Sequence, residues 1–324
     1  MMFIILGVVV ILIVLFVSQK KQVVICNSTK KLRGKTVIVT DGSSGLGFEI
    51  AKDLAQRDAK VIIACQYEID GYTALARIAK ATGNHNVYYR QLNIASLRSV
   101  RDFVKLIQEK ETRLDILVNS SGIRVPEDVL TDDGLHYIMQ VNYYGHFLLT
   151  LLLLPLLKNT ATETEPTRII SITSNLRKYA SLDVNSYNKI GFWTKSRIYL
   201  NSKLSLVLFS QELSKRLAET NVVVNCADPG IVETDIYYSI NKYIAYILNF
   251  FIYAFFTTPW QGAQTAIHMA VEDNTGLVSG KVFENCEISD SKMNGDLEFT
   301  AEKLWEQSVK LVKLEAHEIP TIKN

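Results

Sequence analysis

Tyr199-Leu-Asn-Ser-Lys203 places a phenol and an ammonium four residues apart. In a helix that spacing puts both on one face, one turn from each other. An ammonium at that distance stabilises a phenolate and draws the tyrosine pKa toward neutrality. A tyrosine tuned in this way hands a proton to a developing alkoxide, or takes one from an alcohol. In a chain with 15 tyrosines such a pair also arises by chance, with an exposed helix tyrosine as the plain alternative. Order along the chain gives the pair weight. A glycine-rich turn follows an early apolar run; then come Asn142, Ser174, the tyrosine–lysine pair, and Pro229-Gly230 after a later apolar run.

Those residues need elements to hold them. Thr36 to Thr40 is a short apolar run that ends at the glycine-rich turn and reads as a buried first strand. Gly45 to Gln56 reads as a helix with Phe48, Ile50 and Leu54 on one side. Further strands are expected at Lys60 to Cys65, Tyr88 to Asn93, Asp115 to Val118, Ile169 to Thr173 and Val222 to Cys226. Helical patterns fill the gaps, including Leu97 to Lys110, Leu135 to Leu157 and Arg197 to Glu219, and an amphipathic tail helix at Thr300 to Leu314. Continuous apolar strands alternating with helices imply an α/β fold with a parallel sheet covered on both faces. Right-handed crossovers make it a doubly wound, Rossmann-type single domain with ligands at the C-terminal strand ends.

The chain has 324 residues, 48% of them hydrophobic, which is ample for one large α/β domain. A net charge of +2 gives no reason to expect nucleic acid as a partner. The four cysteines, Cys26, Cys65, Cys226 and Cys286, are scattered without metal-like spacing and read as reduced thiols. Met1 to Val17 carries no charge. At about 1.5 Å per residue it spans roughly 26 Å, enough for a thin bilayer. Six bases follow before the first acid, Asp41, so the flank is expected to stay cytosolic. A cleaved signal peptide is the rival reading, but a basic n-region and a small-residue cleavage site are lacking. The expected organisation is a transmembrane anchor over 1–18, a basic linker over 19–34, the catalytic domain over 35–314 and a tail over 315–324. Asn27-Ser-Thr29 and Asn119-Ser-Ser121 both match the glycosylation sequon. The first is silent if it faces the cytosol, and the second reads as chance in a buried strand.

Several segments together resemble the short-chain dehydrogenase/reductase superfamily, and within it the membrane-anchored retinol-dehydrogenase-like group. They are Lys35-Thr-Val-Ile-Val-Thr40, Gly145-His-Phe-Leu-Leu-Thr150, Ile170-Ser-Ile-Thr-Ser174, Tyr199 to Phe209, and Asp228-Pro-Gly-Ile-Val232. Tyr199 to Phe209 and Asp228 to Tyr237 look closest to a branch of that group acting on polyprenols and dolichals. The resemblance implies hydride transfer between NAD(P) and an alcohol or carbonyl. It casts Tyr199 as general acid/base and Lys203 as its modulator and a partner of the nicotinamide ribose. Ser174 becomes the hydrogen-bond donor to the substrate oxygen. Asn142 holds a water that links Lys203 to solvent. Thr234 meets the carboxamide, and Pro229 and Gly230 shape the nicotinamide pocket.

The cofactor turn reads Thr40-Asp-Gly-Ser-Ser-Gly-Leu-Gly47, so Gly42, Ser43, Ser44, Gly45, Leu46 and Gly47 are the expected pyrophosphate contacts. Asp41 stands where the family has its first glycine. A carboxylate near two phosphates is unfavourable, and the lost glycine strains the turn unless Gly42 takes over its flexibility. The alternative is an Asp41 that points away and caps neighbouring amides. Asn93 replaces the family's adenine-contacting acid. Asn119-Ser-Ser-Gly122 replaces Asn-Asn-Ala-Gly, with Asn119 and Gly122 retained. Gln66 follows the second strand, where a carboxylate favours NAD and an arginine NADP. With neither, the expectation leans to NADP(H), with NAD(H) as the alternative.

The loop from Asn175 to Arg197 is expected to wall the substrate cleft. Tyr243 to Phe256 carries seven aromatic side chains in 14 residues. Too short to span, it reads either as a core helix or as a lid over about 238–258 that dips into the membrane interface. Retinoid, polyprenoid and steroid substrates all fit such a cleft. The expected setting is the endoplasmic reticulum membrane or a lipid droplet surface, with the catalytic domain in the cytosol. The competing function is a membrane-anchored dinucleotide- or lipid-binding protein with little turnover, favoured by the drift at Asp41, Gln66, Asn93 and Ser120. Oligomeric state is not legible.

Overall fold

A computed structural model of the chain describes residues 23–123, 129–180, 194–230, 232, 257–289, 297–315 and 317–318. The expected membrane anchor, Thr234, and all but the last two residues of the expected lid lie outside the described residues.

Six parallel strands carry the fold: β1 (Thr36–Thr40), β2 (Lys60–Cys65), β3 (Val87–Gln91), β4 (Ile116–Asn119), β5 (Thr167–Ile172) and β6 (Val222–Asp228). Two short strands follow, β7 (Val282–Glu284), parallel to β6, and β8 (Glu287–Ile288), antiparallel to β7. The sheet order is β3-β2-β1-β4-β5-β6-β7-β8. The chain therefore reverses direction between β1 and β4, and that reversal opens a crevice at the C-terminal strand ends.

The helices are α1 (Gly45–Gln56), α2 (Glu68–Thr82), α3 (Leu97–Lys110), α4 (Tyr137–Thr160), α5 (Thr194–Arg216), α6 (Pro259–Val271) and α7 (Leu297–Leu311). Their apolar stripes cover the two faces of the sheet. Phe48, Ile50 and Leu54 of α1 join Val37, Val39, Ile63 and Ala266 in one core. Phe103 of α3, Phe147 of α4, Phe209 of α5 and Trp305 of α7 join Ile38, Leu117 and Ile169 in the other. In that second core Phe147 and Phe209 lie 5.0 Å apart, and Trp305 stacks on Phe209 at 5.8 Å.

Local chemistry sets the boundaries. The Ser96 hydroxyl accepts the Ser99 amide and starts α3. Thr258 and Gln261 form a capping box at the head of α6, with Pro259 in the first turn. Asn93 ends the β3 run two residues earlier than the apolar pattern suggests, because its Oδ1 accepts the Ala95 amide and turns the chain. Strand β6 runs on to Asp228 because Ala227 and Asp228 pair with Phe283 and Glu284 of β7. Helix α5 begins at Thr194, inside the stretch expected to be loop. The tail helix is shifted three residues toward the N-terminus, and its Leu304, Trp305 and Ser308 are buried as expected.

Helix α4 is long and apolar enough to cross a membrane, alone among the described residues in this. Its leucines from Leu148 to Leu154 are buried inside the fold, so it serves as a core helix against the sheet. Residues Gln140–Tyr144 within it wind as a π-helix. Asn119 is fully buried, so its sequon is indeed a coincidence of strand sequence.

Candidate active site

Each expected site residue within the described chain lies at or just beyond the C-terminal end of a parallel strand, or on α4 or α5 beside those ends. Thr40 and the glycine turn follow β1, Gln66 follows β2, Asn93 follows β3, Gly122 follows β4, Ser174 follows β5, and Pro229 and Gly230 follow β6.

The turn after β1 is tight. Gly47 is pressed against the main chain: a Cβ there would lie 2.4 Å from the Asp41 carbonyl oxygen. A Cβ on Gly42 would meet the Val39 carbonyl at 3.2 Å and Ile63 at 3.3 Å. Asp41 itself takes the left-handed conformation, with φ of 53°, so Gly42 does not assume that duty. Burial, with the Asp70 carboxylate as a second cause, pushes the Asp41 carboxyl up to about 6. Ser43 hydrogen-bonds the Cys65 thiol, which burial pushes up. Ser44 is the N-cap of α1 without a side-chain cap bond, and no acid stands in the first turn. The first-turn amides are thus suited to an anion, and open space surrounds the Cα of Gly45. These features fit a dinucleotide pyrophosphate, with Asp41 the discordant group.

Beneath the turn, the Thr40 hydroxyl accepts the amides of Ser120 at 2.8 Å and Ser121 at 3.0 Å, and lies 3.2 Å from His146 Nε2. His146 Nδ1 lies 3.3 Å from the Asn142 carbonyl oxygen. Full burial drives the His146 pKa down to about 3.

Lys203 is buried and donates from Nζ to the Ile172 carbonyl at 3.0 Å. Burial lowers its pKa to about 8. Gly122 faces this ammonium so closely that a Cβ would sit 3.0 Å from Nζ. The Thr173 hydroxyl donates to the Lys203 carbonyl at 2.9 Å and pins α5 to the end of β5. Asn142 clasps Ile123 twice, accepting its amide at 2.8 Å and donating to its carbonyl at 3.0 Å. The same amide group donates to Ser202 Oγ at 3.0 Å, and Ser202 donates to the Tyr199 carbonyl at 2.7 Å. Tyr199 is half-buried against the α3–α4–α5 core, one turn before Lys203. The Ser174 Oγ accepts the Leu176 amide at 3.3 Å. Asn142, Ser202 and the Tyr199 main chain are therefore one bonded chain, and Lys203, one turn after Tyr199, is held separately by Ile172 and Thr173 at the end of β5, just before Ser174.

Other expected contacts sit differently. Asn119 is buried, donating to Thr150 at 3.0 Å and Ser171 at 3.4 Å, so its side chain ties β4 to α4 and β5. The Asn93 carboxamide oxygen is engaged in its own turn. Gln66 is exposed beyond β2, and its carbonyl accepts from Gln91 at 3.3 Å.

A buried ion pair is the feature that residue spacing missed. Arg177 and Asp228 are both 0% exposed at their side chains and bonded through Nη1 and Oδ2. Arg177 Nη1 also donates to the Ser174 carbonyl at 3.0 Å. Asp228 Oδ1 accepts the Gly230 amide at 3.0 Å, holding Gly230 at its left-handed φ of 73°. Burial raises the Asp228 carboxyl, and Arg177 works against that rise. One pair thus fixes both Ser174 and the Pro229-Gly230 loop. Asp228 heads the Asp-Pro-Gly run already visible in the sequence, but Arg177, 51 residues earlier, has no local signature.

Comparison with known proteins agrees with this geometry. Residues 35–244 match the short chain dehydrogenase family model, and the chain belongs to that family. It is therefore an oxidoreductase of the alcohol/carbonyl type. It is 37% identical over 298 residues to human retinol dehydrogenase 14, covering 87% of this chain and 88% of that one. Human retinol dehydrogenase 11 is 34% identical over 292 residues, covering 90% and 89%. Among solved structures, the Pseudomonas aeruginosa RhlG/NADP active-site complex superposes with a TM-score of 0.64 at 26% identity, covering 78% of this chain and 94% of that one.

Arg177→Leu should destabilise the domain by about 3–5 kcal/mol, because it leaves a buried carboxylate without its counter-charge. Chemical denaturation measures this. Adding Asp228→Asn to that variant should recover part of the loss, and a strictly additive double variant would rule out the pairing as the cause.

Proposed function

We propose that this chain uses a nicotinamide dinucleotide to interconvert the alcohol and aldehyde or ketone forms of a hydrophobic lipid, of retinoid, polyprenoid or steroid type. The observation that carries this reading is the buried Lys203 ammonium, held on Ile172 one helical turn from Tyr199. The bound dinucleotide supplies or accepts the hydride.

The protein's own groups manage the proton. In reduction the Tyr199 hydroxyl donates to the carbonyl oxygen; in oxidation it takes the proton back. Lys203 stabilises negative charge on the Tyr199 oxygen while the proton is away. The Ser174 Oγ already accepts the Leu176 amide, so its hydrogen is left to donate to the same substrate oxygen and to steady its charge. The Asn142 carboxamide is engaged with Ile123 and Ser202. A water linking Asn142 to Lys203 would therefore rest on the Asn142 main-chain carbonyl. Gly42 to Gly47 and the α1 amides are assigned to the pyrophosphate, and Thr234, Pro229 and Gly230 to the nicotinamide end.

For cofactor choice, neutral Gln66 and the NADP named with the RhlG structure support NADP(H). The Asp41 and Asp70 carboxylates near the end of β2 are the specific observation that supports NAD(H). The apolar N-terminus and the aromatic run at Tyr243 to Phe256 support a membrane-drawn lipid substrate at the endoplasmic reticulum or a lipid droplet. The second reading, a dinucleotide- or lipid-binding protein with little turnover, draws its support from the left-handed Asp41 and the engaged Asn93.

Tyr199→Phe tests the choice. Turnover should fall by about 10²-fold or more, while dinucleotide affinity stays within a few-fold. A variant that retains turnover above about a percent sinks the assignment of Tyr199 as acid/base. A wild type that binds the dinucleotide but turns over no retinal, polyprenal or ketosteroid favours the binding protein.

Asp41 sets a pH dependence. Its carboxyl is raised above the usual value to about 6, so the stability it contributes is present below the ordinary pKa and lost as pH rises through about 6. Repulsion of the phosphates follows the same course. NADPH and NADH should both bind more weakly at pH 7.5 than at pH 5, by about five-fold, or on the order of 1 kcal/mol. Asp41→Gly should flatten that dependence and tighten binding at neutral pH. Fluorescence titration of the reduced dinucleotides reads both effects, and an unchanged profile in the variant would mean that this carboxylate does not face the cofactor.

Topology is open to a direct test on microsomes. With the domain in the cytosol, Asn27 stays unmodified and added protease degrades the domain. Endoglycosidase-sensitive mass on Asn27 would place the domain in the lumen.

A further inference from the structure

Two cysteines far apart in the sequence both meet Gln264 of α6. Cys26 lies on the extended segment that leads into β1, and its amide donates to Gln264 Oε1 at 3.1 Å. Cys286 lies in the β7–β8 turn, with its sulfur 3.7 Å from the Gln264 carbonyl and 3.8 Å from the Val24 carbonyl. His268 and Glu272 stand on the same helix, four residues apart and so on one face, with Glu272 as the C-cap residue. The ligating atoms of Cys26, His268 and Glu272 all lie within 4.8 Å of one another, and each residue is half-buried.

We propose that Cys26, His268 and Glu272, with Cys286 as the fourth donor, form a structural zinc site that staples the segment entering the domain to α6. The donor chemistry selects the metal. Thiolate and imidazole suit zinc, whereas calcium and magnesium take oxygen ligands. Bonds of about 2.0–2.3 Å in a tetrahedral shell put ligand atoms roughly 3.5 Å apart. The Cys26, His268 and Glu272 donors need only small side-chain rotations to close, and Cys286, which lies outside that group, swings in from its contacts with the Val24 and Gln264 carbonyls. Two of the donors sit on a rigid helix, so the closing movement falls on the two cysteines, which lie on a strand-like segment and a turn. Four protein donors leave no open position, which is the pattern of a structural rather than a catalytic zinc.

Backbone geometry at the turn points the same way. Asn285 and Cys286 both have positive φ, 51° and 64°, the conformation of a two-residue hairpin that normally takes glycine in the second place. A cysteine there gives up the easiest residue for the turn and gains a sulfur directed at α6. The segment is already laid on the domain by the Lys30–Asp273 ion pair and by Arg57, which donates to the Ser28 carbonyl at 2.7 Å. Zinc would lock what these contacts only guide. Binding displaces the thiol protons of Cys26 and Cys286 to solvent, and no redox partner is needed.

The full chain, purified in detergent under thiol reductant and stripped with chelator, tests this. Zinc added and then dialysed should remain at a single ion per chain by elemental analysis. Cobalt(II) in its place should give the thiolate-to-metal charge-transfer band and the strong visible bands of tetrahedral coordination. Cys26→Ser and His268→Ala should each weaken zinc binding by about 10-fold or more. Zinc should raise the melting midpoint of the wild type and leave that of Cys26→Ser unmoved. Asp273→Asn, which alters the exposed acid beside the cluster, should bind zinc as the wild type does. Retention below about a tenth of an equivalent in the wild type, or a cobalt spectrum without the thiolate band, overturns the proposal. So does undiminished uptake in Cys26→Ser and His268→Ala, or a Cys26–Cys286 disulfide in protein isolated without reductant. If a variant fails to fold by circular dichroism, the cobalt spectrum of the wild type decides alone.

Discussion

The hydroxyl of Thr40 is the point through which the two halves of the site are held in register. A threonine hydroxyl has two lone pairs and one hydrogen. The amides of Ser120 and Ser121 occupy both lone pairs, so the hydrogen is donated, with His146 Nε2 the nearer acceptor at 3.2 Å and the Val118 carbonyl the farther at 3.5 Å. His146 must then be neutral and carry its own hydrogen on Nδ1, aimed at the Asn142 carbonyl. The low pKa imposed by burial agrees with that count. A single chain of bonds, each direction forced by the last, thus runs from the cofactor turn through the end of β4 to the helix that carries Asn142. Thr40, Ser121, His146 and Asn142 are all buried, so the geometry of this chain is insulated from salt and pH across the physiological range.

Charge is handled differently at each place where it is buried. Lys203 has an oxygen acceptor on Ile172 but no bonded carboxylate, so burial lowers its pKa while leaving it cationic at neutral pH. Arg177 and Asp228 neutralise each other, and they also grip the backbone, Arg177 donating from the same Nη1 to the Ser174 carbonyl and Asp228 accepting the Gly230 amide on its other oxygen. Asp41 is pressed toward neutrality by burial and by a second acid. The first arrangement keeps a charge available, the second fixes a shape, and the third leaves a cost in place at the cofactor turn. Buried ionisable groups gathered at one edge of a sheet are the mark of a working site.

Much of this was legible in the sequence because periodicity and punctuation reinforce each other locally. Gly45–Gln56 and Leu97–Lys110 were readable to the residue, the one from its glycine turn and the other from its helical pattern. The tyrosine–lysine pair was readable because Tyr199 and Lys203 share a helix. Helices α2 and α6 were harder, since α2 has a weak apolar stripe and α6 is a run of small residues. Strands β7 and β8 are three and two residues long, too short for any alternation to show. What the sequence could not display is contact across distance. Arg177 meets Asp228, and Cys26 meets His268, only because the sheet brings them together. The left-handed Asp41 was foreseen as strain, but not that Asp41 itself, rather than Gly42, would bear it.

The π-helical stretch Gln140–Tyr144 acts on the phase of α4. An α-helix turns about 100° per residue, and a π stretch accommodates one residue more than its rise requires. It is the form a helix takes when it has accepted an insertion without moving either end. The apolar wheel that packs Leu148 to Leu154 against the sheet is thereby offset from the wheel that points Asn142 at Ile123 and Ser202. Core and chemistry can each choose their own angle along one continuous rod. Removing a single residue from that stretch would restore an ideal helix with both ends in place, and would withdraw the wide turn that presents Asn142 to Ile123 and Ser202. In this protein the regular helix is the damaged one.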